Sequence, residues 1–247
     1  MNNSFGLIII GDELLLGDRE DKHLCHFRQL LGRRGKELQR CWFLPDERNA
    51  LVEHLRFSMG QSLPVFVCGG IGATPDDLTR SCAAEAAGVP LKAHPKAVAL
   101  IEERFGEAAY PTRIQMAVLP EGADIIPNPY NRIPGFFINR HYFLPGFPEM
   151  AWPMAEWVVE RFYASIDEGL SDCSVQVIDT PESRLVDIMQ LLNEQFPQVK
   201  VYSLPRLGDD SYVELGVRGR GDISKAFSAL QEVLSRQQIS FRECKKL

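Results

Sequence analysis

Val65-Phe66-Val67-Cys68-Gly69-Gly70-Ile71-Gly72-Ala73-Thr74-Pro75-Asp76-Asp77-Leu78-Thr79-Arg80 is the stretch on which the fold of this chain turns. Four apolar residues predict a short buried strand, and three glycines break it. A Thr-Pro helix start, two adjacent carboxylates and a helical stretch through Ala87 follow. Strand, glycine-rich turn and helix N-terminus, in that order, are how an α/β protein offers backbone N–H groups to a phosphate. The spacing is neither G-x-G-x-x-G nor that of a P-loop, because no Lys follows the glycines. Asp76 and Asp77 would repel a bare phosphate, so they point to a metal ion or an amino-bearing ring arriving with it.

Outward from that stretch, the N-terminal half alternates. Phe5 to Ile10 is a short, β-branched apolar run of the kind that forms a buried parallel strand, and it ends in Gly11-Asp12-Glu13. Leu24, Phe27, Leu30 and Leu31 recur at helical spacing between Asp21 and Arg34, and Gly35 stops that helix. Leu38–Leu44 predicts a second strand ending at Pro45-Asp46-Glu47, and Asn49–Met59 a second helix. Val65–Cys68 and Thr79–Ala87 complete a βαβαβα pattern, which predicts a mostly parallel sheet with helices on both faces. Ligands of such sheets bind beyond the carboxyl ends of the strands. Three of those ends carry acids: Asp12 and Glu13, Asp46 and Glu47, Asp76 and Asp77. Aspartates also cap helices and fill turns; three strand ends converging on carboxylates argue further for a site.

Leu91–Glu107 predicts another helix, with His94-Pro95 near its start. Ala117–Ala123 and Ile125–Pro129 predict short extended pieces broken by proline. Ile133–Ile138 and His141–Pro148 predict a hairpin pair ending in a Pro-Gly turn, and Met150–Tyr163 a helix carrying Trp152 and Trp157. Composition shifts at Ala164–Asp172, and a domain boundary is expected there. The expected domains are 1–165, an α/β domain, and 173–247, a small α+β domain of strand (Cys173–Ile178), helix (Glu182–Gln195), strands (Val199–Leu204, Tyr212–Gly216), helix (Asp222–Arg236) and a short end strand.

The 247 residues suit one large domain with a small one, and 45% hydrophobic with 24% charged residues are the proportions of an ordinary globule. A net charge of -6 gives no footprint for nucleic acid or an acidic membrane. No apolar run approaches the roughly 20 residues that span a bilayer, and the start lacks the basic region of a signal peptide. Cys25, Cys41, Cys68, Cys82, Cys173 and Cys244 are scattered without a C-x-x-C pair, which favours reduced thiols and a cytoplasmic location.

Gly11-Asp12-Glu13-Leu14-Leu15-Leu16-Gly17, the glycine loop through Arg80, Leu119-Pro120-Glu121-Gly122-Ala123, Pro127-Asn128-Pro129 and Leu144-Pro145-Gly146-Phe147-Pro148 occur in this order. Together they resemble the molybdopterin-binding (MoaB/Mog-like) domain of the competence/damage-inducible protein A family, over about residues 5 to 165. The resemblance implies a three-layer αβα domain, a pterin- or nucleotide-sized pocket at the loop, and a dimer or trimer. Longer members add a nicotinamide-nucleotide amidase domain, and deamidase activity is not expected of this chain. The resemblance also implies that Gly69, Gly70 and Gly72, with Ile71 between them, wrap a phosphate by their N–H groups, and that Thr74 and Thr79 add hydroxyls. Gly11, Asp12, Glu13, Asp76 and Asn128 fall within matching motifs, and Pro145 and Gly146 build the turn facing the loop. Asp77 and Asp46 match acidic positions of the pterin-handling relatives. Those relatives usually carry Thr at the positions of Cys68 and Ile71 and Arg at that of Asp76, so this chain lacks two hydroxyls and one positive charge. Where the family often has Asp-Thr-Asn, the chain has Asp21-Lys22-His23; His23 is expected to be a surface helix residue, with a donor role as the alternative.

Three functions follow as expectations. The first is binding of a molybdopterin- or nucleotide-type phosphorylated ligand, with carboxylates accepting hydrogen bonds from ring N–H groups. The alternative is metal-dependent cleavage of an ADP-ribose-type pyrophosphate, with Asp12, Asp46 and Asp77 as catalytic carboxylates holding Mg²⁺ or another divalent metal. The third is a scaffold with a vestigial pocket. His26, His54, His94 and His141 have no ligand spacing and are expected at the surface or partly buried. Cys68 is expected to be structural, and Trp152 and Trp157 to pack. Arg218 and Arg220 beside Gly219 and Gly221 faintly suggest a nucleic-acid-binding loop, against which the acidic chain argues.

Overall fold

A computed structural model describes residues 3–165, 169–208 and 211–243. Cys244, and residues 166–168 of the expected boundary, lie outside the described residues. The chain divides into two compact units between residues 167 and 168.

The first unit is built on β1 (Ser4–Ile10), whose side chains alternate between two cores. Phe5, Leu7 and Ile9 face one, and Ile8 and Ile10 the other, the period of two that any strand imposes. After β1 come α1 (Asp12–Leu15), α2 (His23–Gly32), β2 (Glu37–Leu44), α3 (Arg48–Met59), β3 (Val65–Cys68) and α4 (Thr79–Ala87). Then come β4 (Leu91–Ala93), α5 (Pro95–Phe105), β5 (Val118–Pro120), β6 (Asp124–Ile126), β7 (Gly135–Ile138), β8 (His141–Leu144) and α6 (Pro148–Phe162). Six strands form one sheet in the order β2-β1-β3-β8-β7-β6. β2, β1, β3 and β8 are mutually parallel, while β7 runs antiparallel to both β8 and β6. Helices α2 and α6 bury Phe27, Leu31, Met154 and Val158 on one face. On the other, α3, α4 and α5 bury Leu51, Leu55, Cys82, Ala97 and Ile101. The result is the three-layer αβα domain expected from the alternation.

Register explains where a site forms. Ile10 pairs with Leu44, Ile9 with Cys68, and Cys68 with Leu144, so four parallel strands end in line. The residues that leave those ends are Gly11, Pro45-Asp46, Gly69-Gly70 and Pro145-Gly146. Four separate sequence motifs therefore converge at one edge of the sheet. The β7–β8 hairpin turns on Asn139 and Arg140, with φ of 49° and 60°, a two-residue turn whose twist matches the strands.

One expected element and one expected helix start differ. Leu91–Ala93 is not the start of a helix but a strand, paired with Val118–Pro120. Pro95 explains this: the residue before a proline avoids the helical region, and proline is tolerated at a helix's first position. His94 caps α5, its Nδ1 accepting from Ala97 N–H at 3.4 Å. α4 spans Thr79–Ala87, the helix expected in the alternation, but the Thr74-Pro75 pair does not start it. Residues 74–78 form a turn instead, with Asp77 N–H donating to Thr74 O and Leu78 N–H to Asp76 O.

Two histidines lie deeper than expected. His141 is fully buried at the head of β8. Its Nδ1 lies 3.0 Å from Asn139 O and its Nε2 2.9 Å from Ser58 Oγ. A carbonyl only accepts, so Nδ1 donates to Asn139 O, while Nε2 rests against the Ser58 hydroxyl, which itself donates to Leu55 O at 3.2 Å. His23 is also buried, because its ring reaches across to β8's end and Nε2 donates to Gly146 O at 2.9 Å.

The second unit runs β9 (Leu170–Ile178), a 3₁₀ turn at Glu182–Leu185, α7 (Val186–Gln195), β10 (Val199–Arg206), β11 (Tyr212–Arg220), α8 (Ser224–Arg236) and β12 (Phe241–Glu243). Its antiparallel sheet has the order β10-β11-β9-β12. Val175, Val177, Leu215 and Val217 meet Ile188, Leu192, Leu230 and Leu234 of the helices in a core of its own. Arg218 sits within β11 and not on a loop. It pairs with Asp172 at 2.7 Å and lies over the Tyr202 ring, which in turn covers Gly216. Among the described residues, no helix is long and apolar enough to cross a membrane.

Candidate functional site

The glycine loop leaves β3 where a side chain has no room. At Gly69, φ is +118° and a Cβ would lie 2.4 Å from Ile10 O; at Gly70, φ is +65° and a Cβ would lie 2.3 Å from Thr79 Oγ1. Only glycine fits both the torsion and the space. The loop's own polar groups are then largely satisfied from within. Gly69 N–H donates to Leu144 O at 3.0 Å. Gly69 O accepts from the Thr79 hydroxyl at 3.0 Å, and Gly70 O from Thr79 N–H. Gly72 N–H donates to Asp77 Oδ1 at 2.8 Å, and Thr74 N–H and hydroxyl both donate to Asp77 Oδ2, at 2.9 and 2.5 Å. Arg80 donates to Gly72 O at 2.6 Å and to Gln115 O.

Part of the expected phosphate cradle is thus committed within the loop. Gly69 and Gly72 have spent their N–H groups on protein acceptors, and Thr79 is fully buried with its hydroxyl engaged. Thr74's hydroxyl proton is likewise committed to Asp77. The loop N–H groups without a protein acceptor are those of Gly70, Ile71 and Ala73, all half-buried, and of the exposed Asp76; Gly70 and Ile71 are the adjacent pair on the cleft wall. Because α4 starts at Thr79, these two amides belong to the loop and not to a helix N-terminus.

A cleft of about 470 Å³ opens over the loop. It brings together Gly11, Glu13, Asp46, Gly69, Gly70, Ile71, Gly72, Thr74, Asp76, Asp77, Asn128, Pro145 and Gly146. Asp12 and Thr79 are not on its wall. Asp12 instead latches two strand ends: its N–H donates to Asp46 Oδ2, and Asp46 N–H donates to Asp12 Oδ1, both at 3.2 Å. Burial, with Asp12, Glu13 and Asp76 close by, holds the Asp46 carboxyl above the usual carboxylate range. Asn128 is buried in its own turn, accepting from Tyr130 N–H and donating to Asn131.

The carboxylates expected to hold a divalent cation do not form a cation cage. Asp77 gives both oxygens to loop donors, while Asp12 and Asp46 each give one to the other's backbone. Among the described residues, no group of three His, Cys, Asp or Glu is arranged to hold a metal. Hard cations need several free oxygens at one point, and these residues do not fit one.

Sequence reasoning missed Arg19, Met116, Asn131, Ile133, Pro134, Phe147 and Met150 on the cleft wall. Phe147 was within reach, lying inside the Leu144–Pro148 motif; Arg19 and Met116 carried no local signal. Arg80 was quoted as the end of the loop motif, and its part as a strut on Gly72 shows only in the fold.

Cys68, which abuts the loop, is fully buried, and burial pushes its thiol well above the ordinary range. Burial also raises Cys82, and raises Cys41 to about 11. Cys25 is exposed. Thiolate is the reacting form, so iodoacetamide at pH 8 is expected to modify Cys25 first, and Cys68 and Cys82 only after unfolding. Peptide mass spectrometry checks the order; equal labelling of Cys25 and Cys68 in the native protein contradicts it.

A glycine loop at the carboxyl edge of a mostly parallel sheet, with helices on both faces, defines an α/β protein with a cleft over that loop. Residues 6–164 match the family model described as "Probable molybdopterin binding domain", and the chain belongs to that family. A CinA-like protein of Citrifermentans bemidjiense is 30% identical over 192 residues, covering 74% of this chain and 46% of that protein. A protein of Pyrobaculum arsenaticum is 31% identical over 209 residues, covering 81% and 79%. The crystal structure of the protein CinA of unknown function from Thermoplasma acidophilum superimposes with a TM-score of 0.59 at 26% identity, over 64% of this chain and 96% of that one. The chain spans about half the length of the CinA-like proteins it matches.

Proposed function

We propose that the cleft of the first unit binds a molybdopterin- or nucleotide-type phosphorylated ligand, its phosphate received by the N–H groups of Gly70 and Ile71. The observation that carries this is the adjacent pair of half-buried loop donors on the cleft wall with no protein acceptor, beside Gly69 and Gly72, whose N–H groups are engaged. Two adjacent N–H groups facing an open cleft are donors that a phosphate oxygen can accept from. The family to which residues 6–164 belong supports a pterin-related ligand. When such a ligand is bound, it supplies a planar, donor-rich ring beside the phosphate. The carboxylates of Glu13, Asp46 and Asp76 on the cleft wall accept hydrogen bonds from ring amino and N–H groups, which they do better than they tolerate a second phosphate. Cleavage of a pyrophosphate by a protein-held metal is not favoured, since the candidate ligands are engaged elsewhere.

Backbone amide resonances test this. Adding AMP or a phosphorylated pterin to the ¹⁵N-labelled protein is expected to shift the Gly70 and Ile71 signals saturably, whereas adenosine is not. Unmoved Gly70 and Ile71 signals, or an equal response to adenosine, overturn the proposal.

A further inference from the structure

A second cleft, of about 440 Å³, opens beside the first and is lined by Leu14, Asp21, His23, Cys68 and Pro148 among others. The two share Ile10, Glu13, Arg19, Gly146 and Phe147. Phe147 is the large apolar side chain on the common wall that is left bare, at 57% exposure. Single exposed apolar residues are ordinary on a protein surface. This one differs because its backbone is fixed from both sides.

Behind Phe147, Gly146 O is held by the buried His23 ring, and a Cβ at Gly146 would sit 3.6 Å from Gly69 Cα. The turn therefore lies about one methyl group's breadth from the glycine loop, and Gly146 and Gly69 line the same cleft. Ahead of it, Phe147 is the N-cap of α6 in extended conformation, and its carbonyl accepts from Met150 and Ala151 N–H at 3.0 and 2.9 Å. Pro148 at the first helical position stiffens the exit. A ring on so constrained a backbone has only its two side-chain torsions to lose when something packs against it. It stands one residue from the glycine beside the loop, and Phe147 and Gly70 line the same cleft.

We infer that Phe147 is the platform on which the planar heterocycle of the phosphorylated ligand stacks, making it a determinant of specificity for ring-bearing over ringless phosphates. This rests on the phosphate lying at Gly70 and Ile71. Stacking is tolerant of which heterocycle is offered, since every such ring presents a π-face. Polar contacts from the flanking carboxylates then distinguish a purine from a pterin.

The test compares binding of AMP, a phosphorylated pterin and ribose 5-phosphate by calorimetry in wild type, Phe147→Ala and Phe147→Trp. The preference for ring-bearing ligands over ribose 5-phosphate is expected to fall roughly tenfold in Phe147→Ala and to be kept or raised in Phe147→Trp. Whichever of AMP and the phosphorylated pterin loses more identifies the ring. A Phe147→Ala variant that keeps the wild-type preference, or that loses ribose 5-phosphate in equal proportion, overturns the platform while leaving the phosphate site standing. Failure of wild type to bind any of the three overturns the phosphate site, and the platform with it.

Discussion

Asp77→Asn is expected to weaken AMP binding at least tenfold, although it removes a negative charge from the wall of an anion site. Were Asp77 merely a charge near the phosphate, neutralising it would tighten binding, because like charges repel and the loss of one favours the anion. The geometry predicts the opposite sign. Asp77 Oδ1 and Oδ2 take the Gly72 N–H, the Thr74 N–H and the Thr74 hydroxyl, three donors on the segment that follows the Gly70 and Ile71 amides. Asparagine keeps the shape and one oxygen but turns an NH₂ toward a donor, so at least one of those bonds becomes a donor facing a donor. Hydrogen bonds to charged groups are worth about 1.5–3 kcal/mol each, and about 1.4 kcal/mol is tenfold in affinity. Losing one of them frees the Gly72–Thr74 segment and disperses the donors the ligand needs. Calorimetry with AMP on wild type and Asp77→Asn decides the sign; equal or tighter binding by the variant sinks the account of Asp77 as the organiser of the loop.

That same residue shows where the sequence was legible and where it stopped. The apolar runs at Phe5–Ile10 and Val65–Cys68, and the helical spacing of Leu24, Phe27, Leu30 and Leu31, are consequences of burial alone. A strand or helix that buries one face writes its period into the chain, so the three-layer order could be read directly. The convergence of Gly11, Asp46, Gly69 and Pro145 followed from parallel topology and the rule that such sheets bind at their carboxyl ends. The assignment of individual donors did not follow. Thr74 and Asp77 are visibly three apart, but whether Asp77 faces outward to a cation or inward to Gly72 depends on the turn at residues 74–78, which is set by the packing of Thr79 beneath the loop. His23 illustrates the same limit. Its position at the start of an amphipathic helix suits a surface residue, and only the arrival of Gly146, 123 positions later, draws the ring inside. Leu91–Ala93 escaped because its partner, Val118–Pro120, lies beyond a whole helix, and a three-residue strand carries too little pattern to announce itself.

Mild acid is expected to destabilise the first unit through His141, by about 3 kcal/mol between pH 7 and pH 4. Burial holds the folded imidazole down at about 4 against an ordinary value of 6.5, and the neighbouring Arg140 adds to the effect; the bond to Asn139 O opposes both without overcoming them. The folded-state value is the lower one, so between pH 6.5 and about 4 the unfolded chain binds a proton that the folded chain refuses. Stability therefore rises with pH through that window, is fully present above 6.5, and is lost as pH falls toward 4. Enclosure gives the structural reason: the ring is fully buried, with Nδ1 donating to Asn139 O and Nε2 against the Ser58 hydroxyl, so a second proton would place a charge in the core without a carboxylate to pair it. Burial also lowers His26 and His54, which add to the slope with the same sign but are only partly shielded. Subtracting a His141→Gln variant isolates the single group. Urea denaturation followed at pH 7, 5.5 and 4 should show wild type losing about 3 kcal/mol more than the variant across the range, with the variant the less stable of the two at pH 7 because Ser58 and Asn139 lose a well-placed partner. Parallel losses in the two proteins would mean that His141 is already charged in the folded state, and that the β8 strand does not exclude the proton.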